Sequence, residues 1–477
     1  MSDEYRQKII GDPVHGGIPV SRLEQRLIDS RSFQRLRGLK QLGLASLVYP
    51  NATHTRFAHS LGVFRIMSRV IDLFVDRGHF DNEDRRKLRA AALLHDIGHY
   101  PYSHLMEFVD RDPLRPKLLG AQSDSPKVVN KGEALRYPSH EKIGELIITG
   151  RPDVRQLLEN EGIDPVEIAA MIRGEHSKPA YNRLTHSSLD VDRMDYLVRD
   201  SLGTGVPYGR IDIEYLLSNL VVYEDQSGDG PPTHDVVLAQ KATAAAEHFL
   251  IARYFMHKVV YFHKTTFGFE ALLRQILFMM RSAGRVPKGG SEIEELLTDN
   301  SRFFDFHDGF VDRHVREAAA DGPSELAELC EALLTRTPPK LVYEVTSLRA
   351  SDGEHSNEYA LFRSQKERKI RELADSSGIP IPFWIWEDLP KDVSFESMGP
   401  MVALSEVEDL NPEEAAELIR VVGRDGNVCR LVEDRTSILH HLSKLRLQAS
   451  RLYLARRVSE ETMNEIRRHV AAWRSTG

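Results

Sequence analysis

Cysteine is scarce, with only Cys330 and Cys429 in 477 residues. The two are far apart and share no motif with each other or with a histidine. That excludes a disulfide framework, argues against thiolate metal sites and fits a reducing compartment. Also missing is any apolar run of the roughly 18 residues that a membrane span needs. The opening MSDEYRQKII lacks the apolar core of a signal peptide, so a cytoplasmic protein with no membrane association is expected. An excess of positive charge is absent too. The formal net charge is -8, which weighs against general nucleic-acid binding but leaves room for a local basic pocket. No internal repeat and no sustained heptad is visible.

What is present suits a globular protein of two or three domains: 41% hydrophobic and 28% charged residues over a chain long enough to bury a large core. Leu23, Leu27, Ile28, Phe33, Leu36, Leu39 and Leu42 fall at helical spacing, as do Val63, Ile66, Val70, Ile71 and Phe74. Arg85 to Asp96 reads as a helix that turns wholly apolar towards its end. Further helices are predicted over 140–150, 153–160, 164–173, 186–201 and 211–220, then a strand over 233–240 and one long helix over 242–283. Beyond about 285 short strand-like runs appear (341–345, 381–386, 427–433), and the last helix is predicted over 458–474. The fold class is mainly α: an all-helical core over 1–284 and a smaller α+β region over 285–477. Residues 109–139, rich in Pro, Gly, Ser and Lys, interrupt the core as a loop insertion of the kind that forms lids. RSQKERKIREL (363–373) reads as a solvated helix face, and Trp384 and Trp386 as packing residues of one strand.

The chemistry centres on His95-Asp96. A charged Asp at the end of an apolar helix needs a partner, and a cation supplies one. His59, at the start of one helix, and Asp192, inside another, can converge with it in a helical bundle. Two imidazoles and two carboxylates suit Mn²⁺, Fe²⁺, Zn²⁺ or Co²⁺, with Mg²⁺ less natural because it prefers oxygen ligands. His99 lies four residues beyond His95, on the same face if the helix continues. His104, Glu107 and His140 follow, and His99, Glu107 and His140 could form a proton relay beside the metal.

These residues, with GDPVHG (11–16), LIDSRSFQRLRGLKQLG (27–43), HTRFAHSLGV (54–63), LLHDIGHYPYSH (93–104), LDVDRMDYLVRD (189–200) and ARYFMHKVVYFHK (252–264), resemble the HD-domain phosphohydrolases. Within them the chain is similar to the deoxynucleoside triphosphate (dNTP) triphosphohydrolases, namely the catalytic core of the vertebrate SAM-and-HD-domain enzymes and their bacterial relatives. The likeness covers roughly the first 270 residues and is loose beyond.

The resemblance implies one divalent metal on His59, His95, Asp96 and Asp192, with additional Mg accompanying the nucleotide. It implies catalytic roles for His99 and His140, and for Glu107 where the family has Asp. Arg56, Arg253 and Tyr196 match phosphate-contacting positions. Arg193 stands where the family has Lys, which keeps the charge and changes its geometry. His104 matches a position near the α-phosphate, and Gln41, Leu42, Asp200 and Tyr261 match positions around the deoxyribose. Lys8, Asp29, Gln34, Arg37 and Lys264 match a regulatory pocket for GTP or dGTP, in a homo-oligomer (dimer or tetramer) to which the region 285–477 contributes. The implied reaction converts dNTP to deoxynucleoside and inorganic triphosphate. The alternatives are another HD nucleotidase or phosphodiesterase, in which His99, His104 and His140 serve a second metal, and a nucleotide-binding regulator without catalysis.

Overall fold

The computed structural model of the chain describes residues 8–109, 114–119, 136–225, 233–350, 364–388, 393–394, 418–442 and 445–474. Most of the expected insertion 109–139 lies outside these residues. The described residues are mainly helical, with small sheets. The chain forms two compact units that interleave along the sequence. One holds residues 1–99, 139–260 and 393–445, and the other holds 100–138, 261–392 and 446–477. The single division expected near 285 cuts along the chain, whereas the chain passes between the units several times.

The first unit opens with an antiparallel hairpin, Lys8–Asp12 (β1) and Gly16–Val20 (β2), with Ile10 opposite Ile18. Its turn is closed by the Asp12 carboxylate, which accepts from the backbone N–H groups of Val14 and His15 at 2.9 Å each. Gly16 takes φ +70°, where a side chain would be strained. The central helix, Arg56–Asp76 (α1), starts at Thr55, whose hydroxyl caps the Ala58 N–H. Asn82–Leu94 (α2) begins in an Asp81/Asp84 capping box. Val191–Thr204 (α3) begins at Asp190, which accepts from the Arg193 N–H, and ends at Gly205 in the left-handed region. Both α2 and α3 pack on α1. Leu61, Val63, Phe64, Ile66, Met67, Val70, Ile71 and Phe74 of α1 are all buried, so this helix is the axis of the core.

Three expectations differ from the structure here. The apolar helix stops at Leu94, so His95 and Asp96 lie on the turn after it and His99 is reached by that turn rather than by another helical one. The helix over 211–220 shortens to Ile213–Ser218. It gives way to a strand, Leu220–Asp225 (β3), in which β-branched and aromatic residues prevail. That strand pairs with Thr233–Ala239 (β4), which is followed across the sheet by Arg420–Val422 (β5) and Val428–Arg430 (β6). The single long helix over 242–283 is two helices, Thr243–Met256 (α4) and Lys264–Ser282 (α5), separated by a π turn at His257–Tyr261. Val260 and Phe262, two residues apart, are both buried.

The second unit contains α5, a run of helices between Gly290 and Leu334, and a sheet of Lys340–Ala350, Leu445–Leu454 and Trp384–Asp388. Trp384 and Trp386 are buried, and their indole N–H groups donate to the Ile379 carbonyl and the Ser450 hydroxyl. The 366–377 helix carries Arg368–Glu372 and Arg371–Glu367 pairs on a solvated face. No helix among the described residues is long and apolar enough to cross a membrane. Both cysteines are free thiols, Cys330 buried and Cys429 exposed.

Candidate metal centre

The first turns of α1 and α3 and the turn after α2 bring His59, Asp192, His95 and Asp96 together in the first unit. The Nε2 atoms of His59 and His95 lie 3.3 Å apart. Asp96 places Oδ2 3.7 Å from His59 Nε2 and Oδ1 3.4 Å from His95 Nε2. Donor atoms of His59, His95 and Asp96 all lie within 4.8 Å of one another. Asp192 Oδ1 approaches from the histidine side, 2.9 Å from His59 Nε2 and 3.9 Å from His95 Nε2.

Ligands about 2.1 Å from one ion at tetrahedral or octahedral angles stand about 3.0–3.4 Å apart, so this set fits a single divalent cation. The far ring nitrogens support that fit. His59 Nδ1 meets Asp195 Oδ2 at 2.7 Å and His95 Nδ1 meets the Ala92 carbonyl at 2.9 Å. With the Nδ1 protons directed to these acceptors, both Nε2 lone pairs face the cluster, a pairing common to metal-binding histidines. Two converging lone pairs repel unless a cation sits between them. Burial alone would lower the His59 pKa, but the hydrogen bonds it donates to Asp192 and Asp195 outweigh that and raise it to about 10. Asp96 is held well below the usual carboxylate range: burial pushes it up, and Arg56, His95 and His99 more than reverse that.

Arg56 Nη1 donates to Asp96 Oδ2 at 2.7 Å, so it orients this carboxylate directly. His99 is buried, with Nε2 3.1 Å from Asp96 Oδ1 and its ring stacked on His140 at 4.1 Å. Burial and the neighbouring Arg56 and His140 hold the His99 pKa well below its usual value. The stack depends on Gly98. A Cβ there would strike the His140 carbonyl and the backbone nitrogen of Gly144. Arg35, buried in the core, fixes the same turn by donating to the carbonyls of Ile97 and His99 at 2.8 and 2.9 Å.

The remaining predicted positions divide between the units. In the first, Arg193 is paired with Asp190, and Asp200 lies 2.8 Å from His54 Nε2. Arg253 and Arg193 both act on the buried His257, and burial and these two charges hold its imidazole neutral. Burial raises the Tyr196 phenol, against Arg253 and Arg193. Gln41 and Leu42 are half-buried beside the cap of a short 3-10 turn. Lys8 and Asp29 are exposed, and Asp29 receives Gln25 at 3.4 Å. Gln34 donates to the Ile28 carbonyl at 2.7 Å and accepts from Arg37, which also lies 3.6 Å over the Phe57 ring. In the second unit, Glu107 is buried and holds His104 Nδ1 at 2.8 Å, and Tyr261 and Lys264 flank the start of α5.

Residues absent from the predicted set stand directly behind His59. Asp195, one turn past Asp192, contacts His59, Arg199 and His15. The spacing Asp192–Asp195–Arg199 on one helix was the available signal for it.

The chain is similar to known proteins. Residues 56–200 match the HD domain, and residues 211–290 match the HD associated region. An uncharacterised protein of Bacillus subtilis, YwfO, is 36% identical over 274 residues, 57% of this chain and 55% of that protein. A deoxynucleoside triphosphate triphosphohydrolase SAMHD1 homologue of Dictyostelium discoideum is 30% identical over 325 residues, 65% of this chain and 55% of that protein. The chain thus spans about half the length of the curated relatives it matches. The solved structure of a hypothetical protein from Aquifex aeolicus superposes with a TM-score of 0.68 at 26% identity, covering 97% of this chain and 100% of that one. A phosphohydrolase from Bacteroides thetaiotaomicron shares the fold with a TM-score of 0.66 at 24% identity, covering 94% and 100%. Residues 56–200 thus carry the likeness to the HD domain, and the relatives that the chain resembles include proteins named as deoxynucleoside triphosphate triphosphohydrolases.

Proposed function

We propose that the chain is a metal-dependent phosphohydrolase that converts dNTP to deoxynucleoside and inorganic triphosphate. The hydrolase reading rests on the His59–His95–Asp96 donor cluster with Asp192 beside it. The dNTP reading draws on its relatives named as dNTP triphosphohydrolases and on the basic side chains of the same unit. A divalent ion on these four residues, among Mn, Fe, Zn, Co or Mg, supplies Lewis-acid charge to the phosphate it contacts. The chain's own residues do the rest. Arg193 and Arg253 bind the polyphosphate, and Arg56 holds Asp96 in place while facing the same anion. Tyr196 and His104 contact phosphate, and Gln41, Leu42, Asp200 and Tyr261 close around the sugar. As water or hydroxide attacks the α-phosphorus, His140 or His99, whose rings stack on each other, protonates the leaving 5′-oxygen. Glu107 orients this relay.

Under the same proposal Lys8, Asp29, Gln34, Arg37 and Lys264 bind GTP or dGTP, with the region 285–477 serving assembly into dimers or tetramers. Incubating the protein with each dNTP, with and without GTP, and identifying the products tests the whole. Triphosphate release supports it. Pyrophosphate, monophosphate or no product with any metal overturns it. Two metals per chain would instead favour a binuclear HD nucleotidase or phosphodiesterase.

A further inference from the structure

The loop of the β1–β2 hairpin reaches into the core and ends on the residue behind His59. His15 Nε2 lies 2.6 Å from Asp195 Oδ1, with the side chains of His15 and Asp195 only 6% and 0% exposed. The other oxygen of Asp195 takes His59 Nδ1 at 2.7 Å. Arg199 completes the assembly. It donates Nε to Asp195 Oδ2 at 2.8 Å and Nη2 to Oδ1 at 3.0 Å, and it donates Nη1 to Asp12 Oδ2 at 2.9 Å. Asp12 also closes the turn that carries His15. Two carboxylates, two imidazoles and one guanidinium therefore form one buried cluster, four of whose five members lie outside the donor set of the metal. Gly62 leaves room for it: a Cβ at that position would collide with Asp195 Oδ1 and Arg199 Nη2.

We propose that His15 is a positioning residue for the metal centre, and that the hairpin is part of the site rather than a peripheral ribbon. Its Nε2–H donates to Asp195 and, with Arg199, pins that carboxylate in a single orientation. In that orientation Oδ2 of Asp195 accepts the Nδ1–H of His59, and the His59 Nε2 lone pair is left aimed at the ion. Without His15, Oδ1 of Asp195 loses its shortest contact. The carboxylate gains freedom to turn, and His59 loses the constraint on its tautomer and ring angle. This inference rests on the metal-centre reading above.

The test is metal affinity, measured by chelator competition on the full chain titrated with Mn²⁺, with bound metal counted by elemental analysis. His15→Leu removes the donor at similar bulk, and His15→Gln keeps an N–H donor on a side chain of similar reach. Disturbed partners behind a metal-binding histidine cost about 10- to 100-fold in affinity. His15→Leu is expected to weaken Mn²⁺ binding by that factor, and His15→Gln to restore most of it. Circular dichroism and thermal unfolding in chelator compare the folds of the two variants. If both bind Mn²⁺ as tightly as the unaltered protein, or both weaken equally, the positioning role is wrong and the hairpin is only structural. If His15→Leu does not fold, His15→Gln against the unaltered protein still decides: a Gln variant that folds yet loses more than 100-fold in affinity overturns donor-based positioning. Failure of the unaltered protein to bind any divalent metal would overturn the metal-centre reading itself, a result distinct from equal binding across the series.

Discussion

At the scale of single residues, the candidate site is a balance between burying charge and supplying its partner. Asp192 is the proposed ligand least tied to the fold. Its side chain is 36% exposed, and its resolved contacts run to the two histidines. Asp192→Ala should therefore leave the helical core intact while lowering metal affinity and hydrolysis by about 10²-fold or more, in line with the loss of a metal-binding group. Retained metal by elemental analysis, with unchanged turnover, would place the fourth ligand elsewhere. Glu270 in α5 shows the opposite balance. Burial pushes its carboxyl up to about 7, and Arg274 only partly offsets this. In the unfolded chain the same group titrates near 4.3. The folded state thus binds the extra proton between about pH 4.5 and 7, and stability falls as pH rises through that window. Glu270→Gln removes the dependence. It should be about 1–3 kcal/mol more stable than the unaltered protein at pH 8 and equal to it near pH 4.5, as measured by urea unfolding at the two pH values.

At the scale of elements, the least obvious buried charge is Asp235 on β4. It accepts from Arg183 at 3.2 Å and from Arg420 of β5 at 2.7 Å, and its side chain is only 4% exposed. Asp235→Ala would strand two guanidiniums and should cost about 3–5 kcal/mol, read as a drop in the denaturation midpoint. The sequence makes most helices legible because their apolar periods are clean and their caps (Thr55, Asp81, Ser139, Asp190) sit where a stop in the period falls. The adjacent His95-Asp96 was conspicuous for the same reason: a charged pair ends an apolar run. The β1–β2 hairpin was not legible. GDPVHG stands out as a motif, yet nothing local says that its Asp and His meet Arg199 and Asp195 more than 170 residues away. The π turn at His257–Tyr261 escaped for a related reason. Every residue of that stretch tolerates a regular helix, so nothing in its residue types marks the π turn.

At the scale of the whole molecule, the path of the chain sets what can be cut. A division at 284 leaves the proposed metal ligands, the hairpin and β3–β4 on one fragment, so on sequence grounds that fragment should be a free-standing catalytic core. The first compact unit nevertheless includes 393–445, which supplies β5 and β6 to its sheet. β5 pairs in parallel with β4 through Leu238–Val421 and Ala239–Val422. The same segment buries Leu418, Ile419, Val421, Leu431 and Val432, and it brings Arg420 to Asp235 and Ser437 to Glu247. A 1–284 fragment would expose the edge of β4, leave Asp235 with Arg183 alone and uncover apolar surface, conditions that favour edge-to-edge association. Expressed alone it should aggregate, or unfold at a lower denaturant concentration than the full chain, and co-expression with 285–477 should recover soluble protein. A monomeric 1–284 fragment as stable as the full chain, binding metal with unchanged affinity, would show that β5 and β6 are an appendage and that the catalytic core follows the linear division after all.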